Sequence, residues 1–316
     1  MAAKMTVVTQ DALGGPEVLR TEERERPVPG PTEVLVRVHA AGINPTDFKT
    51  RAFGGLLRAE PPFVLGHDVS GVVEAVGVGV TLFEPGDEVY GMLDYPNLLG
   101  GYGEYVTAPA RRFVPKPAAL SHAEAAALPL VALTAWQALT DRAGLQPGQR
   151  VLVHAAAGGV GHVAVQLAKA LGGYVIGTAS AGKHGFVKGL GADEVIDYTA
   201  VDFASAVSEV DVVLDTVGDD YSARSLPLVR DGGTLVSLAG WAVNEVKPQA
   251  AERGVWAGFL LVEPDRAALL AVNELVAAGK LRVEVSTVLP LAEAAKAHEL
   301  LESGRTVGKI VLSVAD

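Results

Sequence analysis

The sequence predicts an α/β protein, a doubly wound parallel sheet joined to a second, β-rich part. Three observations predict it. Residues 150–240 alternate short apolar strands with helical segments, the order that βαβ units require. A turn rich in alanine and glycine separates the first of those strands from the first of those helices. The sequence before residue 121 shows period-two alternation and turn residues with little helical periodicity.

Taken in order, residues 33–40 (EVLVRVHA) alternate apolar and polar side chains, and 69–80 and 87–92 are Val/Gly-rich strands between turn residues. Pro27, Pro29 and Pro31 make an extended connector, because each proline fixes φ and removes a donor. Ser121 and Glu124 form a capping box for a helix over 123–128, and 134–143 continues as helix. Strands are expected at 150–154, 174–178, 194–197, 211–215 and 234–238. Helices are expected between them at 160–171, 183–190, 203–207 and 221–229. After Pro264 come a helix (266–278), a strand (283–287), a helix (291–302) and a last strand (309–314). No repeat or low-complexity segment interrupts this order.

Composition narrows the function classes. The 316 residues carry a formal charge of −11, and an acidic surface repels phosphate backbones, which excludes a nucleic-acid partner. There is no cysteine, hence no disulfide, no cysteine-zinc site and no thiol nucleophile. The first ten residues lack the plan of a signal peptide, and no apolar run reaches the roughly 18 residues of a membrane span. A cytoplasmic protein without a membrane partner is expected.

The stretch from Val151 to Gly161 (VLVHAAAGGVG) sets a strand, a tight turn and a helix start in sequence. In the G-x-G-x-x-G frame its positions are Ala156, Gly158 and Gly161. Gly158 allows the backbone to approach a pyrophosphate, Gly161 allows close helix–strand packing, and the helix N-terminus offers free N–H groups. The motif alone is weak; followed by further βα units it predicts a Rossmann dinucleotide-binding domain. NAD enzymes place a carboxylate about 20 residues further on, and a 2′-phosphate does not tolerate that charge. Between Gly161 and Ala192 there is no Asp or Glu, while Thr178, Ser180, Lys183 and His184 are present. NADPH is therefore the expected cofactor, although Lys183 also fits an ordinary exposed helix start.

The segments AGINPTD, LGHDVSGVVEAVG, PGDEVYG, LTAWQAL, HAAAGGVG, GADEVIDY, LDTVG and GKIVL follow one another from Ala41 to Leu312. In that order they resemble the medium-chain dehydrogenase/reductase superfamily, and HAAAGGVG with TASAGK looks most like its zinc-free quinone oxidoreductases (zeta-crystallin-like) and polyketide synthase enoyl-reductase domains. The resemblance implies a GroES-like domain of residues 1–121 and 257–316 around a Rossmann domain of residues 122–256. It implies Asn44 and Asp47 as the catalytic polar pair, though both also suit Asx turns. For NADPH it implies Thr134, Gly158, Gly159, Val160, Gly161, Ser180, Lys183, Tyr198, Leu238, Ala239, Gly240, Phe259, Leu261 and Lys309. A homodimer is expected.

Zinc-dependent members resembling this chain carry a cysteine ligand where it has Asn44 and a further ligand near residues 128–130, and they have a four-cysteine lobe that is absent here. His67 and Asp68 remain, but two neighbours rarely hold zinc, so no metal is expected and His67 should hydrogen-bond within its loop. Where many relatives place a tyrosine as proton donor this chain has Lys49 and Phe53, which leaves water as the expected donor. The activity implied is hydride transfer from NADPH to a quinone or conjugated enone, with residues 93–103 lining the substrate cleft. An enoyl reductase acting on a biosynthetic intermediate and a non-catalytic NADPH-binding protein are the alternatives.

Overall fold

The structure, a computed structural model, describes residues 3–98 and 100–315; residues 1, 2, 99 and 316 lie outside it. The chain forms two compact units. One runs to Leu133 and resumes over Glu263–Ala277 and from Val283; the other comprises Thr134–Val262 and Ala278–Arg282.

The first unit opens with β1 (Lys4–Gln10) and β2 (Arg20–Glu25), an antiparallel hairpin, followed by β3 (Glu33–Gly42). Helix α1 (Pro45–Phe53) follows at once. Asn44 is extended before it, Pro45 occupies the first helical position where no N–H is needed, and Asp47 accepts from the Asn44 N–H at 2.7 Å. Gly54, at φ 76°, ends the helix in the left-handed region. Then come β4 (Phe63–Val64), β5 (Asp68–Val76), β6 (Glu88–Met92), β7 (Tyr105–Pro109) and β8 (Phe113–Pro115). Helix α2 (His122–Ala127) carries the expected capping box, with the Ser121 N–H on Glu124 at 2.8 Å and the Glu124 N–H on Ser121 Oγ at 3.2 Å. The expected junction at 121/122 falls at the start of α2, which packs on β3 and β5, and the compact unit continues into α3 (Pro129–Trp136).

In the second unit α3 passes into a π-helix, Gln137–Arg142, where an α-helix was expected; the Ala143 N–H reaches back five residues to Ala138 O. Strand and helix then alternate: β9 (Arg150–Val153), α4 (Gly159–Ala170), β10 (Tyr174–Thr178), α5 (His184–Gly189) and β11 (Glu194–Ile196). They continue as α6 (Phe203–Ala206), β12 (Val210–Asp215), α7 (Tyr221–Ser225), β13 (Val229–Ser237), α8 (Val243–Glu252) and β14 (Trp256–Phe259). The six strands pair in parallel in the order β11-β10-β9-β12-β13-β14. Counted from β9, that is the Rossmann order, and it reverses direction between β9 and β12. The expected junction at 256/257 falls inside β14.

The chain returns to the first unit with α9 (Arg266–Ala277), β15 (Val285–Pro290), α10 (Ala294–Glu302) and β16 (Lys309–Ser313). β16 pairs antiparallel with β3, Val311 opposite Gly42, within a seven-stranded sheet of order β15-β16-β3-β5-β6-β8 on which β7 adds to β3. Val34, Val36, Val38, Val69, Val73 and Ile310 are among the residues of its core. This pairing sets the first residue of β16 beside the turn between β3 and α1. Among the described residues no helix is long and apolar enough to cross a membrane.

Candidate active site

A buried polar cluster forms at that turn. Lys309, 3 % exposed, donates from Nζ to Ile43 O at 2.7 Å and to Asn44 Oδ1. An ammonium only donates and a carboxylate only accepts, so the amide of Asn44 is fixed: oxygen toward Lys309, nitrogen toward Asp68 Oδ2 at 2.8 Å. Asp68 Oδ1 accepts from the Leu130 N–H at 2.9 Å. Asp47 Oδ2 accepts from the Asn44 N–H at 2.7 Å and from the Tyr102 hydroxyl at 3.1 Å. Asn44, Asp47, His67 and Asp68 have no exposed surface.

Charge in the cluster is nearly balanced. One ammonium faces two carboxyl groups in a low-dielectric interior. Burial pushes Asp47 up to about 7 and Asp68 up to about 6, while burial also lowers Lys309. Asp47 stands above Asp68 because the Asp68 charge adds to its burial, while hydrogen bonds and Lys309 favour the anion at both. Both carboxyls are thereby raised toward neutrality, Asp47 the further of the two.

His67 corrects an expectation. Among the described residues neither of its ring nitrogens has a hydrogen-bond partner, and neither does Asp47 Oδ1. His67 Nε2 lies 3.9 Å from Asp47 Oδ1, too far for a hydrogen bond, and burial holds the imidazole down at about 4. The contact is thus between a neutral ring and a carboxyl group, not an ion pair. The ring is held instead by an edge-on contact with Tyr95, centroids 5.0 Å apart. Of residues 93–103, Leu99 lies outside the described residues; Tyr95 and Tyr102 both reach this cluster.

In the second unit most of the expected cofactor residues, Thr134 and Lys309 excepted, lie at the carboxyl ends of the parallel strands. Gly158 precedes α4 with an extended backbone, and Gly159 and Val160 begin the helix. A Cβ on Gly161 would sit 2.3 Å from Ala155 O and 2.8 Å from Ala156 Cα, so only glycine allows α4 to start this close to β9. Gly158 is looser, its Cβ position 3.1 Å from Ala155 O. Ala155, at φ 46°, supplies the left-handed step that a glycine would otherwise take. Ser180 and Lys183 bound the short turn after β10, and Tyr198 lies exposed after β11. Leu238, Ala239 and Gly240 follow β13, and Phe259 ends β14 with Leu261 just beyond it. Thr134 lies buried in α3, and Lys309 belongs to the first unit's cluster. The switch between β9 and β12 is braced by Thr216 Oγ1 donating to His154 O at 2.8 Å.

Two family descriptions match the chain: an alcohol dehydrogenase GroES-like domain over residues 30–118 and a zinc-binding dehydrogenase over residues 190–312. The quinone oxidoreductase of Coxiella burnetii superimposes with a TM-score of 0.93 at 39 % identity, covering 99 % of this chain and 100 % of that one. The chain is a medium-chain dehydrogenase/reductase. Its quinone-oxidoreductase branch also includes the Escherichia coli quinone oxidoreductase complexed with NADPH, similar to this chain with a TM-score of 0.87 and 33 % identity over 98 % of this chain and 100 % of that one. A 2-methylene-furan-3-one reductase of Solanum lycopersicum is 38 % identical over 89 % of this chain and 71 % of its own length. The chain is accordingly an oxidoreductase with a GroES-like and a Rossmann-like domain.

Sequence reasoning missed several residues of this site. His298 is one: it lies far from Tyr102 of the expected 93–103 segment in sequence, and the two meet only in the fold. Asp197, five residues past Ala192, lies outside the window searched for acids, yet its carboxylate turns back toward the Ala181 N–H and His184 in the loop after β10. Hydrogen bonds from Thr199 keep it below the usual carboxylate range.

Proposed function

We propose that this chain reduces a quinone or a conjugated enone with NADPH and without zinc. The observation that carries the reading is the buried cluster of Lys309, Asn44, Asp68 and Asp47, in which Lys309 and Asp68 fix the Asn44 amide, the Asn44 N–H holds Asp47 Oδ2, and burial raises the Asp47 carboxyl toward neutrality. The glycine turn supports a dinucleotide: it leaves room for a pyrophosphate against the backbone at Gly158, and α4 supplies N–H donors. The cofactor supplies hydride when bound. Lys183 and Ser180 would meet a 2′-phosphate, and Asp47 would supply the proton that a reduced enone or quinone takes up, in place of water. Similarity to the tomato furanone reductase and to two quinone oxidoreductases, one of them complexed with NADPH, supports both the substrate class and the cofactor.

Zinc does not fit the donors present. Both oxygens of Asp68 and the oxygen of Asn44 are already engaged, and an ammonium stands beside them. That leaves Asp47 Oδ1 and His67, one donor short of the three protein ligands that even an open zinc site uses. The test is turnover by the purified chain of NADPH and NADH with 9,10-phenanthrenequinone and with an α,β-unsaturated ketone, before and after chelation. NADPH oxidation insensitive to chelator supports the reading. Preference for NADH, loss of activity on chelation, or no turnover of either substrate class would overturn it.

A further inference from the structure

Behind Asp47 runs a line of side chains that the reaction does not require to touch substrate. Arg51 and Asp47 lie one turn apart on α1; His298 and Glu302 lie one turn apart on α10. Arg51 donates to both oxygens of Glu302, at 3.0 and 2.9 Å, to Gly14 O at 3.1 Å, and makes a 3.2 Å contact with His298 Nδ1. His298 Nε2 lies 3.2 Å from the Tyr102 hydroxyl, which lies 3.1 Å from Asp47 Oδ2.

The direction of every bond in this line is determined. A guanidinium has donors only, so His298 Nδ1 accepts. Burial, with Arg51 adding to it, holds His298 at about 4, so the ring is neutral and its one proton sits on Nε2. Nε2 donates to the Tyr102 oxygen, and the tyrosine hydrogen is left for Asp47 Oδ2. That oxygen, with the Asn44 N–H, then has two donors. Oδ1 has none among the described residues and faces His67.

We propose that Tyr102 and His298 are positioning residues for Asp47, a hydrogen-bond chain of fixed direction, anchored on the Arg51–Glu302 pair, that fills Oδ2 and holds the carboxyl proton on Oδ1 beside His67. The assignment rests on the reading of Asp47 as the proton source of the reductase. Other charges facing Asp47 are Asp68 on β5, which raises it, and Lys309 on β16, which lowers it. Neither touches Oδ1. Protonation therefore alters one oxygen while the other stays tied to the chain. When Asp47 gives up its proton, the Oδ1–H bond breaks, the proton is relayed out of the buried cluster to form the new bond on the reduced substrate, and Oδ2 keeps both donors to hold the resulting anion.

The test follows Asp47 directly, by the carboxyl-carbon resonance of 13C-labelled aspartate in the full chain, assigned with Asp47→Asn and titrated between about pH 5 and 9. Tyr102→Phe removes a donor from the anion and should raise the midpoint by about one unit. His298→Leu should raise it less. His298→Gln, whose amide can accept from Arg51 and donate to Tyr102, should restore it. The pH profile of kcat/KM with NADPH and 9,10-phenanthrenequinone should move with the resonance, while KM for NADPH stays in place. A midpoint unmoved in Tyr102→Phe and His298→Leu, or no titration of Asp47 in the wild-type chain, overturns the proposal. If Tyr102→Phe does not fold, the two His298 variants still decide it. Absence of quinone or enone turnover would overturn the functional reading alone, since the resonance reports on Asp47 without substrate.

Discussion

At the carboxyl end of β10, single charges are expected to set the choice of cofactor. Lys183 and Ser180 bound the turn there, and a phosphate paired with an ammonium gains roughly 1.5–3 kcal/mol. Lys183→Ala should weaken NADPH binding about 10- to 100-fold and leave NADH nearly unchanged, as each 1.4 kcal/mol is tenfold. Asp197 acts the other way. Its carboxylate approaches the same turn from β11 and would repel a 2′-phosphate while offering an acceptor to a ribose hydroxyl. Asp197→Asn should therefore sharpen the preference for NADPH, measured as the ratio of dissociation constants by fluorescence titration. Equal losses for both cofactors in Lys183→Ala would mark that lysine as a structural residue. The acid was not legible from the first βαβ unit because it arrives from the next strand, by parallel pairing of Thr178 with Ile196.

Elements with strong periodicity were legible to within a few residues: β10 spans 174–178 as expected, and α4, β12, α9 and β16 start or end within one or two positions. Those that packing alone supports were not. α8 buries Val243, Val246 and Ala250 along one face although Pro248 stands inside it, and β14 is only four residues long. The N-terminal hairpin strand β2 carries five charged residues in six, which hides its alternation. The candidate site divided in the same way. The glycine turn is local and could be read, whereas Lys309 reaches Asn44 across 265 positions, through strand pairing that no local pattern encodes. At this scale the turn makes its own prediction. In Gly161→Ala the new Cβ meets backbone, which cannot rotate away, so α4 must shift from β9 at a cost of about 1–3 kcal/mol. Thermal unfolding should show a midpoint lower by several degrees, together with weakened NADPH binding. Gly158→Ala, with only a 3.1 Å contact, should keep the midpoint near wild type and lose mainly NADPH affinity. Matching midpoints for the two variants would refute the packing argument.

For the whole molecule, buried titratable groups of opposite sign govern stability against pH. His67, His154 and His298 are held neutral by burial, at about 4, 3 and 4. Unfolded, each takes up a proton near its ordinary value of about 6.5, so the unfolded chain binds more protons between about pH 4 and 6.5. Stability from these groups is full above that window and is lost as pH falls through it. Asp47 and Asp68 are raised to about 7 and 6, so between about pH 4 and 7 the folded chain binds more protons at them. Their contribution is largest in acid and declines as pH rises toward 7. Each group changes stability by roughly 1.4 kcal/mol per pH unit where its protonation differs fully between the two states. Among these five groups the three histidines outweigh the two carboxyls, so their combined contribution falls on acidification near pH 5.5. Asp47→Asn removes one opposing carboxyl while its amide oxygen can still accept from the Asn44 N–H and the Tyr102 hydroxyl. The variant should consequently gain stability relative to wild type at pH 8 and gain little at pH 5. Its unfolding midpoint should rise more steeply between those two values than that of the wild-type chain. Parallel curves for the two proteins, followed by differential scanning calorimetry in buffers of equal ionic strength, would show that Asp47 ionises in the folded chain as it does in the unfolded one.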